Sequence, residues 1–266
     1  MDYGTLEIEV HDGIGRIWLN RPEVRNAFND EAIAELTRAF DAMAGDSQVR
    51  VVVLGGRGSA FSAGGDLNWM KKMAGYSFDE NFADALRLAE MLHTIAVLPK
   101  PTVARVHGPA YAGGMGLVAA CDIAVAAHEA EFCLSEVKLG LVPATISPYV
   151  LAAMGRRAAQ RYFLTAERFS AEEAHRIGFV HALAPAAKID DAVAAVCREL
   201  LSGGPHAHAA TKDLVRHVAG APLTGELRAE TARRIATARA TDEGKEGVRA
   251  FLEKRRPAWM PEKKKS

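Results

Sequence analysis

The sequence predicts an α/β fold, because strand and helix patterns alternate in its first half and helix patterns fill the remainder. The chain opens with the alternating pattern of a β-hairpin, and the later runs of buried-strand character are followed by helical patterns. From residue 148 onward, helical periodicity dominates. We therefore expect one large core over residues 1–200 and a helical region over residues 201–266.

The first elements follow from local pattern. Apolar and polar residues alternate over 6–10 and again over 14–19, and the Asp-Gly pair between these runs favours a hairpin turn. Asn29 is a suitable N-cap for an amphipathic helix that ends near Gly45. Residues 49–54 are apolar and largely β-branched, which indicates a buried strand. The chain therefore begins with two strands, a helix and a strand.

Two glycine-rich segments lie in the middle of the chain. Residues 55–66 follow the strand over 49–54 and precede a short helix, which Asp66 is placed to cap. Residues 107–116 follow a strand over 102–106 and open a helix of small residues. The first segment is too rich in glycine for a regular element, and we interpret both segments as glycine loops. The other predicted elements are a helix over 82–96, a strand over 122–126 and helices over 153–163, 171–177, 189–201, 207–218, 225–241 and 245–255.

Composition and charge narrow the classes of function. Among 266 residues, 33 are Lys or Arg and 33 are Asp or Glu, so net charge favours neither nucleic acid nor an anionic membrane. No stretch approaches the roughly 20 apolar residues that span a bilayer, and the N-terminus has no leader pattern. Cys121, Cys133 and Cys197 have neither paired nor metal-ligand spacing. We expect a cytoplasmic protein without metal, membrane or nucleic acid.

The two glycine loops are candidates for holding an anionic oxygen. A helix N-terminus presents unpaired N–H groups, and the helix dipole favours negative charge there. If the loops converge, the N–H groups of Gly65 and Gly113 can both donate hydrogen bonds to one oxygen, such as that of a thioester enolate. The simpler interpretation is that Gly64, Gly65, Gly113 and Gly114 only permit tight turns and close packing. The presence of two matching loops favours the first interpretation.

Glu136 is the candidate general acid or base. It lies among Leu134, Val137, Leu139 and Leu141, and an apolar context desolvates a carboxylate and raises its pKa. The pKa then moves towards the range useful for proton transfer at neutral pH. The same local pattern also fits a surface glutamate at the edge of a strand. The residues by themselves leave both interpretations open.

Short motifs follow one another along essentially the whole chain. They are NRPE at 20–23, RNAF at 25–28, FSAGGDL at 61–67, VHG at 106–108, AGGMGL at 112–117, CD at 121–122, FCLSEVKLGLVP at 132–143, AERFSAEEA at 166–174 and FLEKR at 251–255. In this order, they resemble the signatures of the enoyl-CoA hydratase/isomerase, or crotonase, superfamily. A combination this long is highly specific.

This resemblance implies a crotonase-like spiral of ββα turns, with a C-terminal helical region that packs homotrimers, often paired into hexamers. It implies that Gly65 and Gly113 form the oxyanion hole, and that Glu136 is the catalytic acid. Coenzyme A is part of the acyl-CoA substrate, and no separate cofactor is expected. The residues implied to contact CoA are Arg25, Ala27, Ala63, Gly64, Asp66, Leu67 and, from a neighbouring subunit, Lys254. Asp66 fits equally well as a helix cap, and Arg25 and Lys254 as solvated charges.

One departure from the family pattern concerns the chemistry. Hydratases of this family carry two glutamates that hold water, and the first falls where this chain has Gly116, which leaves Glu136 alone. The amino-acid sequence of residues 65–70, 135–138 and 141–149 resembles that of bacterial methylglutaconyl-CoA hydratases of leucine breakdown and their isoprenoid-pathway relatives. We therefore expect reversible hydration of 3-methylglutaconyl-CoA, in which Glu136 handles both the water and the α-carbon proton.

The distal carboxylate of such a substrate requires a cationic partner, for which Lys71, Lys72 and Arg87 are candidates. Other functions remain open. A Δ3,Δ2-enoyl-CoA isomerase needs only one base, because a proton shift along an allylic enolate uses no water. Residues 114–119 match the dinucleotide-binding pattern G-x-G-x-x-A of an NAD-dependent oxidoreductase, although a loop separates them from the preceding strand. RNA binding is suggested by one family relative and the lysines at 263–265, against the balanced charge.

Overall fold

The structure, a computed structural model, describes residues 3–260; the lysines at 263–265 lie outside this range. The described residues form a six-stranded sheet, a three-stranded sheet and ten α-helices. The strands are β1 (Leu6–His11), β2 (Ile14–Leu19), β3 (Val51–Gly56), β4 (Thr102–Val106), β5 (Ala110–Tyr111), β6 (Ile123–Ala127), β7 (Glu131–Cys133), β8 (Phe169–Ser170) and β9 (Ala182–Ala184). The helices are α1 (Asp30–Gly45), α2 (Leu67–Met73), α3 (Phe78–Val97), α4 (Gly113–Ala120), α5 (Ser147–Thr165), α6 (Ala171–Arg176), α7 (Ile189–Ser202), α8 (Pro205–Val218), α9 (Gly225–Ala240) and α10 (Asp242–Leu252).

The larger sheet has the order β1-β2-β3-β4-β6-β9. Strands β1 and β2 form the predicted antiparallel hairpin, and Asp12 and Gly13 in its turn have positive φ angles of 51° and 80°. Every other pairing in this sheet is parallel. Because β3 and β4 are parallel neighbours, their carboxyl ends lie at the same edge of the sheet. The two glycine loops leave the sheet from those ends.

The core has two apolar layers, one on each face of the larger sheet. The larger layer includes Leu36 and Phe40 of α1 and Leu92 of α3, all fully buried. In the smaller layer, α7 packs apolar residues such as Ile189 and Cys197 against β3, β4 and β6. Burial on both faces explains the continuous apolar runs of these strands, and it confirms that they are interior strands.

Local capping signals located the starts of α1 and α2. The side chain of Asn29 accepts a hydrogen bond from the N–H of Ala32 at 3.0 Å, which confirms its predicted role as N-cap of α1. Asp66 likewise caps α2. The helix predicted over 153–163 is longer in the structure than in the prediction. It corresponds to α5, which begins at Ser147 and continues through a kink at Gly155, where φ is 74°. A kink at glycine is expected, because glycine has no Cβ to oppose that angle.

The smaller sheet, β5-β7-β8, was not predicted. Its strands contain two or three residues each, too few for an alternating pattern to show in the sequence. These strands form because the segments that follow β4 and β6 lie side by side. Tyr111 of β5 pairs with Cys133 of β7, and Phe132 of β7 pairs with Phe169 of β8. This sheet connects the second glycine loop to the segment that carries Glu136.

The C-terminal helices are attached to the core largely through polar contacts. Helices α8 and α9 contain no fully buried residue. One attachment centres on Asp122, whose Oδ2 accepts hydrogen bonds from Thr102 N at 2.7 Å, Thr102 Oγ1 at 2.8 Å and Lys212 Nζ at 2.6 Å. Lys212 of α8 also donates to the carbonyl of Lys100 at 3.0 Å. Its ammonium group therefore joins α8 to the start of β4.

Removing this ammonium group should destabilise the fold. We expect Lys212→Met to lower the free energy of unfolding by about 1–3 kcal/mol, because Asp122 would lose a charged hydrogen-bond partner in a largely buried position. Lys188→Met is the matched control, since Lys188 pairs with Asp191 at 3.2 Å where both side chains are about 70% exposed. Urea unfolding measures both variants, and equal shifts would contradict a structural role for Lys212.

Candidate active site

The two glycine loops converge at the carboxyl edge of β3 and β4. The backbone of Phe28 makes two hydrogen bonds to the first loop. Its N–H donates to Gly64 O at 2.8 Å, and its carbonyl accepts from Asp66 N at 3.0 Å. The first loop is in turn bonded to the second, where Tyr111 N donates to Ser62 O at 2.9 Å. These backbone bonds hold the loops in a defined mutual position.

The two proposed donors come from the parts of these loops that touch. A Cβ added to Gly64, whose φ is 89°, would lie 3.1 Å from the Cβ of Ala112 and 3.7 Å from the N atom of Gly113. Within residues 3–260, the N–H groups of Gly65 and Gly113 donate to no acceptor. Two unpaired backbone donors on adjoining loops can hold one developing oxyanion. The loops predicted from sequence are therefore brought together as the oxyanion hypothesis requires.

Two neighbours of Gly113 were not identified from sequence. A Cβ at position 113 would lie 3.1 Å from Phe28 Cε2 and closer still to Cζ, so the phenyl ring packs directly against the glycine. Ala112 has φ 46° and ψ −119°, an unfavourable conformation for a residue with a side chain. Its N–H donates to Cys133 O at 2.8 Å. The RNAF motif contained Phe28, but only the tertiary contact reveals what its ring does.

Glu136 is not on a strand edge, the alternative that its local sequence allowed. It begins a 3-10 turn, Glu136–Leu139, three residues after Cys133 of β7. Its Oε2 atom is buried and has no hydrogen-bond partner among the described residues. Burial raises the pKa of Glu136 above its ordinary value. A half-buried carboxyl group with one unpartnered oxygen is suited to exchange protons with a bound molecule.

The smaller sheet places Glu136 next to the second glycine loop. Strand β7, which leads into the Glu136 turn, pairs in parallel with β5, which leads into Gly113. The bond from Ala112 N to Cys133 O continues that pairing. The carboxylate and the second loop are thus carried by adjacent, hydrogen-bonded segments.

Asp66 is fully occupied by protein partners. Its Oδ1 accepts from the N–H groups of Asn68 and Trp69, at 2.7 and 3.3 Å, and its Oδ2 accepts from Arg21 at 3.0 Å. Burial acts to raise the pKa of this carboxyl, but the hydrogen bonds from Asn68, Arg21 and Trp69 lower it below its usual value. This geometry supports the helix-cap interpretation of Asp66 and gives it a structural role at the first loop.

The other residues assigned to CoA are divided between the loops and the C-terminal helices. Ala63 N donates to Arg25 O at 2.9 Å, so the RNAF motif and the first loop are adjacent; Ala27 is buried there and Arg25 is exposed. The side chain of Leu67 is 74% exposed. Lys254 lies in the turn after α10, and no hydrogen bond or ion pair between described residues joins it to either loop.

The candidate cations for a distal carboxylate lie on two helices, α2 and α3. Lys71 and Lys72 are exposed in the last turn of α2. Arg87 of α3 is already paired, donating to Asp84 Oδ1 at 2.8 Å. The structure therefore leaves the two lysines as the better candidates.

Position 116, the place of the first family glutamate, is crowded. A Cβ on Gly116 would lie 2.9 Å from the Cβ of Ile146 and 3.6 Å from Leu92 Cδ2. Ile146 lies far along the chain from α4, so no sequence pattern could reveal this contact. The space that a second acid would require is filled by apolar side chains.

Residues 3–260 contain neither a metal-ligand cluster nor a helix that could span a membrane. In that range, no group of three or more His, Cys, Asp or Glu side chains could hold a metal ion. None of the helices described has the length and apolar character needed to cross a membrane. The three cysteines are buried and free of disulfides.

Comparison with known proteins identifies the family. Residues 9–262 match the family model of enoyl-CoA hydratase/isomerase. The crystal structure of an enoyl-CoA hydratase from Shewanella pealeana is similar with a TM-score of 0.94 and 41% identity, covering 96% of each chain. That of an enoyl-CoA hydratase from Mycobacterium smegmatis has a TM-score of 0.90 and 34% identity, covering 96% of this chain and 98% of that one. Enoyl-CoA hydratase ACTT6 of Alternaria alternata is 37% identical over 218 residues, 79% of this chain and 69% of the relative. With the loop geometry described above, these similarities show that the chain belongs to the enoyl-CoA hydratase/isomerase family and has its crotonase fold.

Proposed function

We propose that the protein reversibly hydrates an enoyl-CoA and that its substrate is 3-methylglutaconyl-CoA. The observation that carries this proposal is the Oε2 atom of Glu136, which is buried and has no hydrogen-bond partner within residues 3–260. The segment that carries Glu136 is hydrogen-bonded to the second glycine loop. Family membership supports the reaction class. The choice of acyl group is supported by the resemblance of residues 65–70, 135–138 and 141–149 to methylglutaconyl-CoA hydratases.

The proposed mechanism needs one acid and two backbone donors. The Glu136 carboxylate takes a proton from water as the water oxygen bonds to the β-carbon of the substrate. The π electrons of the double bond move towards the thioester oxygen, and the N–H groups of Gly65 and Gly113 stabilise the resulting enolate. The enolate then collapses, and the α-carbon takes the proton from Glu136. The raised pKa helps the same group to act first as base and then as acid.

The substrate and the assembly are part of the same proposal. CoA would lie along the first loop, near Arg25, Ala27, Ala63, Gly64 and Leu67. Asp66 would stabilise that loop by capping α2.

Apolar side chains of the C-terminal helices are exposed, among them Val248 and Phe251, at 59% and 82%. Such exposure supports a homotrimer or dimer of trimers in which this region is an interface and Lys254 reaches a neighbour's CoA. Buried free cysteines fit a reducing cytoplasm.

A Δ3,Δ2-enoyl-CoA isomerase is the second candidate, and one observation favours it. Ile146 and Leu92 fill the space at Gly116, so the site has no second carboxylate there to hold water. The NAD and RNA alternatives have less support. Strand β5 lies between β4 and α4, which is unlike the tight strand-to-helix turn of a dinucleotide site.

Turnover of three substrates tests the proposed function. Purified protein is incubated with 3-methylglutaconyl-CoA, crotonyl-CoA and a 3-enoyl-CoA, and the products are followed by mass. We expect hydration of the first substrate well above hydration of the other two. A double-bond shift in the 3-enoyl-CoA without gain of water, together with no hydration of 3-methylglutaconyl-CoA, would identify an isomerase and contradict the proposal.

The role of Glu136 is tested by removing its ionisation. Glu136→Gln should lower kcat by about 100-fold or more, because an amide of the same shape cannot exchange the proton. Glu129→Gln is the matched control, since Glu129 is an exposed glutamate on the same stretch of chain. Near-normal turnover by Glu136→Gln would show that another group transfers the proton.

The two loop glycines should respond differently to alanine. At Gly113 the new methyl group would displace the Phe28 ring or the loop, so we expect kcat/KM to fall by about 100-fold, the typical loss of one oxyanion donor. At Gly65 it would lie 3.4 Å from the Trp69 ring, an ordinary contact, and the loss should be much smaller. Steady-state kinetics of both variants measure this contrast. Equal losses would contradict the packing explanation.

A further inference from the structure

The surroundings of Gly116 carry an inference about which reactions the site can perform. Gly116 follows Gly113 by three residues in α4, so a side chain there would leave the helix on roughly the same face. A Cβ at position 116 would lie 2.9 Å from the Cβ of Ile146 and closer still to its Cγ2. Any side chain at position 116, acidic or not, would collide with Ile146.

Ile146 cannot easily move aside. It is only 2% exposed, and its carbonyl accepts hydrogen bonds from the N–H groups of Tyr149 and Val150 at 3.2 and 3.1 Å, at the start of α5. Its Cβ is positioned by the backbone, and branching at that atom restricts the rotation that would clear Cγ2. The glycine and the isoleucine are therefore a matched pair of small and large residues.

The same segment of chain carries both Glu136 and Ile146. The 3-10 turn that begins at Glu136 is closed by a hydrogen bond from Leu141 N to Glu136 O at 3.0 Å, and the chain then runs on to Ile146. This segment thus brings one acid to the second glycine loop and fills the place of another acid with an apolar side chain.

We propose that Ile146 is a specificity-determining residue that confines the site to a single carboxylate. By occupying the space over Gly116, it excludes a second acid, so activation of water depends on Glu136 alone. Substrates whose hydration requires two acids are then poor substrates for this protein. This inference rests on the proposed hydratase function.

The packing part is tested by thermal unfolding of Gly116→Ala, Ile146→Ala and the double variant. Gly116→Ala should lower Tm in the presence of Ile146, whereas it should cause little further loss in the Ile146→Ala background. Such coupling is expected only if the two side chains compete for one space. Additive decreases in Tm would overturn the proposal.

The chemical part is tested by hydration of crotonyl-CoA. Gly116→Glu alone should give no gain, because the new side chain has no room. Gly116→Glu with Ile146→Ala should hydrate crotonyl-CoA at least about tenfold faster than Gly116→Gln with Ile146→Ala, its isosteric control without a carboxylate. Equal rates in the two double variants, or a Glu double variant no better folded than Gly116→Glu alone, would overturn the proposal. Wild-type turnover of 3-methylglutaconyl-CoA is measured separately; its failure contradicts the proposed substrate, while the ratio between the double variants still decides the role of Ile146.

Discussion

The contact between the two glycine loops is the constraint on which the rest of the site depends. It exists because β3 and β4 are parallel neighbours, so the loops that follow them leave the same edge of the sheet. The contact is close: a single Cβ at Gly64 would approach Tyr111 O to 3.0 Å. Phe28 stabilises the arrangement twice, by backbone bonds to the first loop and by packing its ring on Gly113 of the second.

Two local features that cost stability occur in and beside the second glycine loop. Ala112 holds a positive φ, and the buried Oε2 of Glu136 lacks a partner among the described residues. Each feature costs on the order of 1–3 kcal/mol. They persist because the surrounding strands and the large apolar core determine the backbone more strongly than these residues oppose it. Conformational and desolvation costs of this kind cluster at binding and catalytic sites in proteins.

Much of the fold followed from local pattern, as particular elements show. The Asp-Gly turn, the caps at Asn29 and Asp66 and the buried strands were all predicted, because each depends on residues close together in the chain. The small sheet of β5, β7 and β8 was not predicted, since strands of two or three residues leave no periodic signal. That sheet is nevertheless what brings Glu136 to the second loop.

The sequence by itself determined the α/β alternation, the two glycine loops and the acid at position 136. Backbone conformation and burial patterns depend on residues that are close together in the chain. Its motifs also placed the chain in the right family, and the comparisons confirm that placement. Only the tertiary structure decided that the loops touch, that Asp66 is occupied as a cap, and that Ile146 fills the space over Gly116. These features depend on contacts between residues far apart in the chain, and such contacts exist only once the sheet has set the relative positions of its loops.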